Sequence, residues 1–226
     1  MVQHALMIGN SDGIGLAATK RLLTAEWNII GISRSESPIS NPQYHHRVAD
    51  VGNSTYLELL DELILEYSFD LCIYFVGIGE LLDLKDMRDE PRIIDVNLTS
   101  MVRTAAAIIP KMVDMGKGHF IGISSLADDL LSAEAPSYHA SKAGHSNYLG
   151  GLALALKPKG VHVTNVRFGF VDTKMAKGDI KPFMMSVEKA VDHLETCINK
   201  KPVCYTVPRI AIPLVKFRKF MMRLKR

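Results

Sequence analysis

A short apolar run, His4 to Ile8, breaks at Gly9 into a turn holding three glycines, Gly9-Asn10-Ser11-Asp12-Gly13-Ile14-Gly15. Leu16-Ala17-Ala18 then opens a helix to about residue 26. A buried strand, a glycine turn and a helix start in this order form a phosphate site. Glycine lets the backbone come close to an anion, and the free N–H groups of the first helical turn face it. The spacing is G-x-x-x-G-x-G, not the commoner G-x-G-x-x-G. The same turn without a ligand would be purely structural.

Strands and helices go on alternating. Residues 27–32 read as a second strand, 47–49 as a brief third, and 56–66 as a helix with Ser54 as N-cap. Residues 70–76 form a fourth strand. A long helix runs from Pro91 to about Met115, with Pro110 as its expected kink. Residues 119–123 are a fifth strand, 138–156 a helix, 161–166 a sixth strand, 187–199 a helix and 203–207 a last strand. The chain has 226 residues, enough for one α/β domain with a sizeable core.

Chemistry concentrates in Ser137-Tyr138-His139-Ala140-Ser141-Lys142. On a helix, Tyr138 and Lys142 stand one turn apart on one face. A phenol at its ordinary pKa of about 10 is a poor base at neutral pH. An ammonium beside it is expected to favour the phenolate and bring it into working range. Ser125 closes the strand Ile121-Gly122-Ile123-Ser124-Ser125, at the carboxyl end where open α/β sheets bind ligands. Its hydroxyl can bond the same substrate oxygen. A surface Tyr and Lys spaced by chance would give the same four-residue interval.

A strand-end Ser followed by a helical Tyr-x-x-x-Lys, with the glycine turn upstream, resembles the short-chain dehydrogenase/reductase family over nearly the whole chain. The resemblance, with the right-handed crossover rule, implies a single Rossmann-like doubly wound domain. Its parallel seven-stranded sheet has order 3-2-1-4-5-6-7, with helices on both faces. It implies Tyr138 as acid/base, Lys142 and Ser125 as its support, and Asn97, in Asp95-Val96-Asn97-Leu98, as holder of a water in the proton path. For the cofactor it implies Gly9, Ser11, Asp12, Gly13, Ile14 and Gly15, then Asp50-Val51 beside the adenine, Gly77, Tyr138 and Lys142. Gly169, Val171 and Thr173 follow at the nicotinamide and pyrophosphate. At the ribose position no acid stands in Gly31-Ile32-Ser33-Arg34. Ser33 and Arg34 can instead hold a 2′-phosphate, so NADP(H) is the preferred cofactor and NAD(H) the alternative. A homodimer or homotetramer is implied as well.

Two departures stand out. The family's Asn-Asn-Ala-Gly is here Tyr74-Phe75-Val76-Gly77, so hydrogen bonds tying the central strands are lost. Phe168 replaces the Pro before Gly169, so a more mobile loop is expected there.

Bulk properties narrow the classes. Cys72, Cys197 and Cys204 show no metal or redox spacing and read as reduced core or near-core thiols of a cytoplasmic protein. No His/Cys/Asp/Glu cluster has metal-ligand spacing, and His45, His46 and His139 read as ordinary polar residues. Ala5 to Ile8 is too short for a signal peptide, and no apolar run nears the ~20 residues of a membrane span. After Glu195 come nine basic residues and no acid, while the first 195 residues hold 18 basic and 24 acidic side chains. A basic tail on an acidic body does not suggest nucleic-acid binding. We divide the chain into a nucleotide-binding domain, 1–207, with a short Met-rich substrate lid at 174–186, and a tail, 208–226. The tail's apolar stripe from Leu214 is expected to dock on protein rather than lie on a membrane surface.

The predicted activity is NADP(H)-dependent interconversion of a partly apolar carbonyl and a secondary alcohol. The alternative is a non-catalytic NADP(H)-binding regulator of the same fold.

Overall fold

The computed structural model describes residues 2–176, 181–210 and 212–213. The tail from 214 and the lid residues 177–180 lie outside the described residues. Seven strands form one parallel sheet in the order β3-β2-β1-β4-β5-β6-β7. They are β1 (His4–Ile8), β2 (Asn28–Ser33), β3 (Tyr44–Val48), β4 (Leu71–Tyr74), β5 (Gly118–Ser125), β6 (Val161–Phe168) and β7 (Cys204–Val207). The helices are α1 (Gly13–Thr24), α2 (Thr55–Glu66), α3 (Asp89–Ile94), α4 (Ser100–Asp114), α5 (Pro136–Leu156) and α6 (Val187–Lys200).

The pleat divides the apolar residues between two cores. Leu6 and Ile8 of β1 and Cys72 and Tyr74 of β4 face the layer of α2, α4 and α5. Ala5, Met7, Leu71 and Ile73 face the layer of α1 and α6. Strands buried on both faces read as unbroken apolar runs, which is why β1 and β4 show no alternation in the sequence. Connections leave β1 towards β2 on one side and β4 towards β5 on the other. That reversal opens a crevice beyond the carboxyl ends of β1 and β4.

Four local expectations need correction. Ser54 has helical backbone angles and no capping hydrogen bond, so it belongs to the turn ahead of α2 and does not cap it. The long helix breaks at a π-helical segment, Asp95–Thr99, between α3 and α4, while Pro110 sits inside α4. By length and composition Asp89–Asp114 is apolar enough to cross a bilayer, contrary to the expectation of no such run, although half of its most apolar 18 residues are buried within the protein. Cys204, finally, is exposed, whereas Cys72 and Cys197 are core residues.

Candidate active site

The crevice is a cleft of about 1680 Å³. Every predicted cofactor and catalytic residue except Asn97 lines it. At its floor the glycine turn packs against the start of α1. A Cβ on Gly15 would stand 2.3 Å from the Gly9 carbonyl oxygen, so the turn closes only around glycine there. Asp12 caps α1 by accepting from the Gly13 N–H (2.8 Å) and pairs with Lys174 (2.6 Å). Lys174, and then the Gly13 N–H, hold the Asp12 carboxyl below its ordinary range. Thr173 packs over Gly13, and its hydroxyl reaches the Val171 carbonyl (3.4 Å).

The two departures have visible substitutes. The Phe75 N–H donates to the Ile8 carbonyl (2.8 Å), so the β1–β4 ladder continues past its last paired residues, and Val76 packs onto Gly9. Phe168 is buried and lengthens β6 to pair with Ser125 in register. The loop after it is tied down, contrary to expectation. The Gly169 N–H donates to Val207, the Met185 N–H to Phe170 and the Asp172 N–H to Met185.

Tyr138 and Lys142 share one face of α5, with the Lys142 ammonium 5.9 Å from the phenol ring centre. Lys142 is buried and donates to the Ile123 carbonyl (2.9 Å). Burial lowers its pKa to about 8, opposed by the Asp128 carboxylate. Tyr138 corrects the sequence reading. Burial pushes its phenol above the ordinary value, the Ser125 hydroxyl draws it down, and Asp128 pushes it up again. Ser125 accepts from the Ala127 N–H (3.2 Å), which leaves its hydroxyl proton to donate into the cleft.

Asn97 sits one layer behind. Its side chain makes a two-way clamp on Ile78, donating to the carbonyl (2.8 Å) and accepting from the N–H (2.7 Å), and donates to Ser141 (3.0 Å). The clamp fixes Gly77-Ile78-Gly79, whose glycines face Lys142 and the Tyr138 ring. The π-helical turn leaves the Asn97 carbonyl to accept from the His145 Nδ1–H (3.2 Å). His145 is fully buried, its Nε2 has no partner among the described residues, and burial lowers its pKa to about 3, so it is neutral.

Behind Ser125 runs a polar chain that the sequence did not reveal. Ser124 bonds Ser146 (2.7 Å) and the Lys142 carbonyl (3.3 Å). Ser146 donates to Asp128 (2.5 Å), and Arg167 of β6 pairs with both Asp128 and Asp129. Only the adjacent acids at 128 and 129 signalled it, and their partner lies 38 residues away or more. Asp50 accepts from the Gly52 N–H (2.9 Å), Val51 is buried, and Ser33 and Arg34 form the far rim. Among the described residues no group of His, Cys, Asp or Glu is arranged to hold a metal ion.

Residues 3–182 match the family model described as short chain dehydrogenase. An uncharacterized oxidoreductase of Myxococcus xanthus is 35% identical over 149 residues, which span 64% of this chain and 59% of that relative. The 3-oxoacyl-[acyl-carrier-protein] reductase FabG of Vibrio cholerae is 28% identical over 183 residues, 76% of this chain and 75% of the reductase. Among solved structures, a short-chain dehydrogenase from Streptomyces avermitilis superposes with a TM-score of 0.85 at 18% identity, covering 100% of this chain and 95% of that one. A short-chain dehydrogenase from Sphingobium yanoikuyae in complex with NADPH does so with a TM-score of 0.83 at 22% identity, covering 98% and 96%.

Proposed function

The chain belongs to the short-chain dehydrogenase family, and from that premise we propose that it is an NADP(H)-dependent oxidoreductase interconverting a carbonyl and a secondary alcohol. The observation that carries the reading is the meeting of Ser125, Tyr138 and Lys142 in the cleft that also holds the glycine turn. The turn fits a pyrophosphate. Its backbone is packed too closely for a side chain at Gly15, and the N-terminus of α1 opens onto it.

When bound, the nicotinamide supplies or accepts the hydride. Gly9, Gly13, Gly15 and Thr173 would hold its pyrophosphate, Asp50 and Val51 its adenine, and Ser33 and Arg34 the 2′-phosphate. Ser125 donates a hydrogen bond to the substrate oxygen and orients it. Tyr138 passes the proton to that oxygen, or takes it in the reverse direction. The raised phenol pKa favours the protonated form, which suits reduction, where Tyr138 must donate. Lys142 stands behind Tyr138 as the charged end of the proton path, and Asn97 holds the 77–79 loop against both.

The substrate end of the cleft supports an apolar substrate. Leu81, Leu131, Met175 and Phe183 line it and are exposed. We further infer that a second copy packs on the outer face of α5, where Gly150 and Gly151 meet open space beside exposed Leu154.

The test is Tyr138→Phe, assayed by NADPH consumption against a panel of aldehydes and ketones. Turnover should fall by about a hundredfold or more, with NADPH binding retained. Full activity in that variant would overturn the assignment. NADPH binding without turnover of any carbonyl by the unaltered protein would favour the regulator instead.

A further inference from the structure

Gly31 is a glycine in the middle of β2, a place where glycine usually weakens a strand. The space it leaves is filled by polar atoms. A Cβ there would lie 2.4 Å from the Tyr44 hydroxyl and 2.5 Å from Asn10 Nδ2. Asn10 comes from the glycine turn and is completely buried; Tyr44 comes from β3. They meet across β2 at 2.9 Å. The Tyr44 hydroxyl continues to His46 Nδ1 (2.7 Å), and His46 Nε2 to the Ser35 carbonyl (2.9 Å).

These bonds have one consistent direction when the imidazole is neutral. The Ser35 carbonyl can only accept, so His46 Nε2 carries the proton and Nδ1 accepts. Tyr44 therefore donates to His46, and its oxygen receives the Asn10 amide. At the other end Asn10 donates to Thr19 (3.1 Å), whose hydroxyl donates to the Gly15 carbonyl (2.8 Å). One chain of hydrogen bonds thus joins the glycine turn to the Ser33-Arg34-Ser35 turn.

At that second turn the Ser35 carbonyl has two donors, the Ser33 hydroxyl (3.0 Å) and His46. We propose that His46 is a positioning residue for cofactor selection. By keeping the Ser35 carbonyl satisfied, it lets the Ser33 hydroxyl swing to a 2′-phosphate without stranding an acceptor. His46 also lies 3.2 Å from Ser33 Oγ and so limits where that hydroxyl can sit. Without His46, the Ser33 proton is the remaining side-chain donor to Ser35 among the described residues, and phosphate must compete for it. The proposal rests on the NADP(H) reading, but it concerns residues behind the phosphate contact rather than the contact itself.

NADPH and NADH differ only at the 2′ position, so the ratio of their dissociation constants isolates this effect from general damage to the fold. His46→Leu should weaken NADPH about tenfold and NADH less than about twofold, in line with losing one hydrogen bond to a charged group. His46→Gln, which can offer an amide N–H to Ser35, should recover much of the ratio. Tyr44→Phe keeps the ring and removes the donor to His46, and should move the ratio the same way by less. Cofactor titration by fluorescence measures all three, with Arg34→Ala alongside. If Arg34→Ala collapses the NADPH preference and the His46 and Tyr44 variants leave it intact, the NADP(H) reading stands and this proposal is overturned. Equal weakening of both cofactors overturns it too. If the unaltered protein shows no NADPH preference, the cofactor reading fails and takes the proposal with it.

Discussion

Replacing Arg167 by Met should be among the most damaging single changes outside the catalytic set. The Asp128 side chain is 4% exposed and the Arg167 side chain 15%, and the pair is joined at 2.7 Å through Nε with a second bond through Nη2. Methionine keeps most of the stem's packing but leaves a buried carboxylate with one remaining side-chain donor among the described residues, Ser146. Removing one partner of a buried pair destabilises by about 3–5 kcal/mol. The contact with Asp129, which is 34% exposed, adds little. Slight solvent access to Arg167 favours the lower end, about 3 kcal/mol. For a chain of this size that is a melting temperature lower by about 6–12 °C. Urea unfolding followed by circular dichroism should show a lower midpoint at unchanged slope. The double variant Arg167→Met, Asp128→Leu should regain part of the loss, because it removes the stranded charge. A single variant within about 1 kcal/mol of the parent, or a double variant no better than the single, would refute the view that this pair is buried and needed.

Three further expectations follow from the ionisable groups and their neighbours. His119 and His145 are held neutral by burial, each with a pKa lowered to about 3. The unfolded chain therefore binds more protons between pH ~6.5 and ~3, and stability should fall with decreasing pH in that window by up to roughly 1.4 kcal/mol per unit for each. Denaturant titrations should show His145→Leu with a flatter dependence than the parent; an unchanged slope would contradict a neutral buried ring. Lys142, lowered to about 8, should give kcat/KM an inflection near that pH. Asp128→Asn should move the inflection downward, since the carboxylate is what supports the ammonium; an upward move would reverse the assigned electrostatics. Gly31→Ala should break the hydrogen-bond chain under β2 and lower the NADPH-to-NADH preference together with stability, whereas an effect on stability alone would separate the two.

Features carried by local pattern were readable in advance. A strand, three glycines and a helix start identify the anion-binding turn because each part answers to short-range sterics. Tyr138 and Lys142 could be placed on one face because four residues make about one helical turn. The strand order came from chirality and resemblance together. What escaped was produced by distance in sequence. Asn10 belongs to the glycine turn and Tyr44 and His46 to β3, and they meet only because Gly31 leaves room. Arg167 and Asp128 meet across β6 and the turn after β5. The direction of the Tyr138 shift was misjudged for a related reason: spacing shows that a lysine is near, but not that it is buried and already bonded to Ile123. Ser54 is the opposite case, a residue type suited to a cap in a place where the backbone is already helical.

The wide turn at Asp95–Thr99 makes chain length itself part of the design. Deleting any one of these five residues would let the neighbouring helices fuse into regular α-helix and would rotate α3 by about 100° relative to α4. The amide that grips Ile78 would swing away from it, and the carbonyl offered to His145 would be drawn back into the helical ladder. A protein engineer could alter most side chains in this stretch and keep the grip. Shortening it at Leu98 or Thr99, neither of which lines the cleft, would dismantle the back wall without touching any residue that faces it.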